Sequence, residues 1–209
     1  MGAIGDPSIT ELLEKYCSDP SREVAETCQI SLDRIRWLPN REENFVDNNP
    51  YKSVDPAPPL ISGSIPDWQR QLTDPTLPLF LRYRAMFALR NCGGREAVLA
   101  LVSGFRDSST LFKHEIAYIL GQMQDESAID GLRERLDDLG ENPMVRHECA
   151  EALGSIASEE CLKILQYYQK DGERVVKESC EVALDMYEHE RSGAFQYANT
   201  ASQMNQQTH

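Results

Sequence analysis

The chain has 209 residues, 41% of them hydrophobic and 26% charged, with a formal net charge of −13. That size and balance fit one or two soluble domains with a real core, and no run approaches the ~18 apolar residues of a membrane span. The acidic excess argues against a nucleic-acid backbone as main partner. It suits a cationic partner or substrate, and acidic helix faces that only solvate the chain explain it equally well.

In chain order, the opening "MGAIGDPSIT" lacks the basic region and apolar stretch of a secretory signal. A reducing, cytoplasmic setting is therefore expected. The six cysteines are scattered without a CxxC pair. They read as small core residues, with zinc binding or a disulfide as the alternative. Helical patterns are predicted at 8–16, 24–32, 81–89, 95–105, 112–120, 127–139, 145–153, 159–168 and 176–184, where apolar residues recur at three- and four-residue spacing. Ile129, Leu132, Leu136 and Leu139 are an example. "NCGG", "QDES", "GENP" and "KDGE" mark turns, and Pro143 is placed at a helix start, where its missing N–H is harmless. No alternating strand pattern is evident.

Self-similarity dominates this list. "VRHECAEAL" (145–153) aligns with "VKESCEVAL" (176–184), sharing valine, a basic residue, cysteine, alanine and leucine in register. "VAETCQISL" (24–32), "LRYRAMFAL" (81–89) and "FKHEIAYIL" (112–120) fit the same template. Units of this length predict an all-α helical repeat solenoid. Residues 39–66, rich in proline and asparagine, read as an extended or poorly ordered linker. The expected organisation is a short repeat piece at 1–38, the linker, a repeat block at 67–190 and a polar tail at 191–209. "MGAIGDPSITELL" also aligns with "LGSIASEECLKIL" (153–165), with Gly2 on Gly154 and Ile4 on Ile156. On that register the chain opens in mid-repeat.

Against the template, His114-Glu115 and His147-Glu148 stand out. The equivalent positions elsewhere are Tyr83-Arg84, Glu178-Ser179 and Glu26-Thr27, so the pairs are selective and not part of the repeat pattern. Equivalent helices of stacked repeats lie ~8–10 Å apart, close enough for both pairs to converge on one centre. Imidazoles with carboxylates favour a first-row transition metal, and open positions would suit non-haem iron(II) and dioxygen. Buried hydrogen-bonded histidines or a protein-binding ridge are the alternatives. The pairs are not HExxH, because the residue four after each histidine is Tyr118 or Glu151, so no zinc protease is expected. Glu151 lies one turn after His147 and either orients it as a neighbouring acceptor or is simply exposed. A further pair, His189-Glu190, is out of register and reads as surface or helix capping.

"YRAMFALRN", "LFKHEIAYILGQMQ", "ENPMVRHECAEALGSIA", "ESCEVALDMYEHE" and the linker stretch "YKSVDPAPP" resemble the deoxyhypusine hydroxylase family from Gly2 to about Tyr197. The resemblance implies an all-α enzyme built as a HEAT-like (E-Z type) helical repeat solenoid, an α-α superhelix, with two symmetric halves. That enzyme uses Fe(2+), two per complete protein, and dioxygen to hydroxylate deoxyhypusine on a eukaryotic translation initiation factor. It further implies that His114, Glu115, His147 and Glu148 are the metal ligands of one half. The corresponding pairs of the other half have no counterpart here, so a shortened chain holding one iron is expected. The implied partners are the deoxyhypusine-bearing factor and dioxygen, with no nucleic acid and no membrane. Two other readings compete: a non-catalytic acidic scaffold for a basic protein, and a bilin-lyase-like module. The linker and the paired His-Glu motifs argue against the second.

Overall fold

The structure is a computed structural model that describes residues 5–40 and 49–192, with side chains to residue 189. The alignment of Gly2 and Ile4, part of the linker and most of the polar tail lie outside the described residues. The described residues form ten α-helices and no strand. They pair into five hairpins: α1 (Thr10–Tyr16) with α2 (Arg22–Trp37), α3 (Ile65–Thr73) with α4 (Leu79–Cys92), α5 (Gly94–Ser103) with α6 (Thr110–Met123), α7 (Ile129–Asp137) with α8 (Pro143–Ile156), and α9 (Glu159–Tyr168) with α10 (Arg174–Ser192). The second helix of each hairpin carries the sequence template, and α6, α8 and α10 stack side by side. The chain is thus an all-α helical repeat solenoid.

Template positions make the core. Val145, Cys149, Leu153, Val176, Cys180 and Ala183 are fully buried. None of the six cysteines is in a disulfide, and burial raises the Cys149 and Cys180 thiols far from reactive values. Asn142 caps α8 by accepting from the Met144 N–H at 2.9 Å, with Pro143 beside it at the first position. The recurring basic residue of the template also has a structural cause. Arg82 donates to Leu72 O at 2.9 Å and pairs with Asp107 at 2.5 Å. Arg146 donates to Leu136 O at 2.8 Å and pairs with Asp171 at 2.6 Å. Lys113 pairs with Glu141 at 2.5 Å. Each cation ties the start of a second helix to the turn between the two helices of the next hairpin.

The helix α3 is absent from the predicted elements. Its signals are a capping box, in which Ser64 and Asp67 bond reciprocally, and Pro66 in the first turn. Just before it, residues 49–60 carry no helix but are packed against α4. Ala57 is fully buried, Arg84 Nε donates to Pro58 O at 3.2 Å, and the Leu60 N–H donates back to Arg84 O at 3.2 Å. This stretch is a strap, not a free tether.

Two glycines set how closely the second helices approach. A Cβ on Gly121 would lie 3.0 Å from Ala152 Cα, and one on Gly154 would lie 2.6 Å from Ala183 O. The obstacle at Gly154 is backbone and cannot swing aside. Gly154→Ala is therefore expected to destabilise the fold by about 1–3 kcal/mol through overpacking. Gly172→Ala, with nothing within 4 Å of its added Cβ, should leave stability within about 1 kcal/mol of the parent. Urea midpoints of the two variants test the contrast.

Candidate metal centre

Histidine 114 leaves α6 and His147 leaves α8 on the faces that turn toward each other. Their ring centroids are 5.6 Å apart. Glu148 reaches back between the helices, placing Oε2 at 2.9 Å from His114 Nε2 and 3.8 Å from His147 Nε2. One ligand atom from each of His114, His147 and Glu148 lies within 4.8 Å of the others, a spacing that a single metal ion can bridge. Two imidazoles and one carboxylate with room for further ligands is the donor set of non-haem iron(II) sites. The three residues therefore fit such an ion by type and by position.

The side chains are partly sheltered: 24% exposed at His114, 25% at His147 and 10% at Glu148. Glu151 Oε1 lies 3.4 Å from His147 Nδ1, on the ring atom that points away from the trio. This contact with Glu151 raises the His147 imidazole above its ordinary value, against the effect of burial, and Glu148 adds to it. Reciprocally, the bond to His147 lowers the Glu151 carboxyl against its partial burial. The pair fixes which ring nitrogen faces the centre.

Glu115 is not part of the trio. Burial pushes its carboxyl up to about 7, opposed by His114 and Arg90 and reinforced by the charges of Asp55 and Glu148. The repeat explains its direction. Glu148 reaches back to the preceding second helix, where His114 stands. The same translation aims Glu115 at α4, where the equivalent residue is Tyr83. Burial, then the nearby Glu115 charge, raises the Tyr83 hydroxyl. Histidine 189 lies in the last turns of α10 and is partly buried.

The sequence profile of HEAT repeats matches residues 99–185, and that of the PBS lyase HEAT-like repeat matches residues 81–107. Deoxyhypusine hydroxylase of Danio rerio is 60% identical over 202 residues, covering 95% of this chain and 66% of its own length. Deoxyhypusine hydroxylase of Homo sapiens is 55% identical over 204 residues, covering 98% of this chain and 67% of its own length. The chain belongs to the deoxyhypusine hydroxylase family. The solved structure of human deoxyhypusine hydroxylase in complex with glycerol superposes with a TM-score of 0.85 at 56% identity, covering 90% of this chain and 65% of that one. The family fold is thus the HEAT-repeat solenoid described above, and the chain spans about two thirds of the length of these relatives.

Sequence reasoning missed the surroundings of the trio. A cleft of about 270 Å³ opens between α6, α8 and α10, and Glu148 forms one wall. Tyr118 and Gln122 line it from α6, and Met186 lines it from α10. Helical spacing carried a signal for Tyr118, which stands one turn after His114 on the same face. Met186 had none, because its approach depends on how α10 stacks.

Proposed function

We propose that the chain holds one ferrous ion through His114, His147 and Glu148. With dioxygen, it serves the hydroxylation of the deoxyhypusine side chain on a translation initiation factor. The observation that carries this reading is the convergence of those three donors in a chain of the deoxyhypusine hydroxylase family. Iron, when bound, supplies the means to activate dioxygen. The chain's own residues do the rest. Glu151 holds the His147 ring so that Nε2 faces the centre. Glu148 contributes its carboxylate between the two helices. The apolar shell of Ile116, Ala117, Cys149 and Ala150, all fully buried, limits the water behind the donors.

Anaerobic titration with ferrous iron tests the site. The expected result is about one ion per chain and loss of uptake in His114→Ala and Glu148→Ala variants that keep their helical spectrum. Equal uptake by the parent and both variants sinks the ligand assignment. The reaction is tested by incubating the loaded chain with dioxygen and a deoxyhypusine-bearing protein, reading the gain of one oxygen by mass. A loaded chain that leaves the side chain unchanged contradicts hydroxylation by this chain while leaving the metal site standing.

A further inference from the structure

We propose that the cleft between α6, α8 and α10 is the seat of a cationic, amine-ended alkyl chain, held by Glu151 and Tyr118 beside the metal-facing carboxylate of Glu148. The proposal rests on the reading that the substrate carries an amine-extended lysine, and it adds where that chain lies and which residues select it.

The lining chemistry points one way. Among the described residues that line the cleft there is no lysine, arginine or histidine. Two are carboxylates, Glu148 and Glu151, and Glu151 is 36% exposed. Gln124 donates its amide N–H to Ser155 O at 2.7 Å, which leaves its amide oxygen as an acceptor. Ser155 donates its hydroxyl to Glu151 O at 3.2 Å, leaving hydroxyl lone pairs free to accept. Tyr118 is 45% exposed and offers a ring face to an ammonium group. Ala152 and Met186 supply apolar surface for methylene groups. Arg90 stands behind Gln122, donating to its Oε1 at 3.1 Å, and its charge is taken up by Asp55 at 2.5 Å. The cleft therefore presents acceptors, negative charge and apolar walls, the complement of an alkyl ammonium.

Size and place agree with chemistry. Gly121 and Ala152 both line the cleft where α6 and α8 approach most closely, a Cβ on Gly121 lying 3.0 Å from Ala152 Cα. Deoxyhypusine is a lysine whose side-chain nitrogen bears a four-carbon arm ending in a second amine. Whichever carbon of that arm reacts, a positive nitrogen lies within a couple of bonds of it. A binding site for that nitrogen has to sit next to the metal. Glu151 does, since the same carboxylate that steadies His147 borders the cleft.

Spermidine, which contains such an arm, is the probe. Titrated into the metal-free chain, it should shift the backbone amides of Tyr118, Gln124, Glu151 and Ser155 first. Glu151→Gln should weaken it about tenfold, as expected for a lost charge-assisted contact, and Tyr118→Ala by several-fold. Tyr118→Phe should retain the affinity. With the anaerobic ferrous chain, spermidine protons should broaden through proximity to the paramagnetic ion. Shifts spread evenly over the acidic surface, or an affinity unchanged in both Glu151→Gln and Tyr118→Ala, overturn the proposal. Failure of the chain to take up iron counts against the proposed function alone, because the metal-free shift map still reads the cleft.

Discussion

Replacing Arg90 by methionine is expected to lower stability by about 3–5 kcal/mol, as for any buried ion pair left with one member. Arg90 is 1% exposed. Its guanidinium pairs in a fork with Asp55, at 2.9 and 2.5 Å, and also reaches Ser53, Asn91 and Gln122. It lies 4.7 Å over the Phe87 ring and 4.9 Å over the Tyr51 ring. The Asp55 side chain is only 9% exposed, so the variant leaves a carboxylate without its counter-charge. At roughly 2–4 °C per kcal/mol for a chain of this size, the melting temperature should fall by roughly 10 °C. Arg90→Lys should recover only part, because an ammonium cannot make the fork. Adding Asp55→Asn to Arg90→Met should restore much of the loss by removing the orphaned charge. A second readout is local. The strap at 49–60 loses its anchor, so trypsin should cut after the exposed Lys52 in the variant faster than in the parent. An unchanged melting temperature together with unchanged cleavage would show that the strap is held by Arg84 alone.

Arg90 also marks a break in the repeat. It stands at the template position that Gly121 and Gly154 occupy in the next two units. Those glycines let α6 meet α8 and α8 meet α10 closely. Where the template has Arg90, α4 and α6 touch far less, and the space holds the guanidinium, Gln122 and the strap. One substitution in the pattern thus turns a helix–helix seam into a slot for a non-helical segment.

That contrast explains what could be read from the sequence. The apolar template positions were legible because every unit repeats them, and Val145, Cys149 and Leu153 are buried as a helix period demands. The convergence of His114 with His147 was legible for the same reason, since equal register on adjacent helices puts side chains side by side. Helix α3 was not, because its capping box sits at the edge of a proline-rich stretch whose composition suggests a linker. The anchoring of that stretch was not legible either, because Asp55 and Arg90 are far apart in sequence and no period links them. The different fates of Glu115 and Glu148 needed the stacking direction. Only the three-dimensional order of the helices says that a glutamate reaches back to the previous unit.

The arginine just before His147 gives the second large effect. Arg146 is 3% exposed. It donates twice to Leu136 O, at 3.1 and 2.8 Å, and pairs with Asp171 at 2.6 Å. Arg146→Ala should cost about 3–5 kcal/mol at neutral pH, whereas Arg174→Ala, whose side chain is 86% exposed beside Glu178, should leave stability nearly unchanged because water screens the exposed pair. Acid distinguishes this loss from simple packing damage. Burial works to raise the Asp171 carboxyl, but the Arg146 hydrogen bond, the Glu173 N–H and the arginine charge together hold it below its ordinary value. A carboxyl lowered in the folded state contributes stability above its unfolded pKa, about 3.9, and loses that contribution as pH falls through the folded value. In Arg146→Ala the lowering partner is gone and burial remains, so protonation relieves the variant sooner than the parent. The stability gap between them should therefore narrow as the pH is lowered below neutrality toward 4. A gap that stays constant over that range would assign the loss to packing. Because Arg146 fixes the first turn of α8, the same variant should also weaken ferrous binding at His147 and Glu148, and Arg146→Met with Asp171→Asn should recover stability more fully than metal affinity.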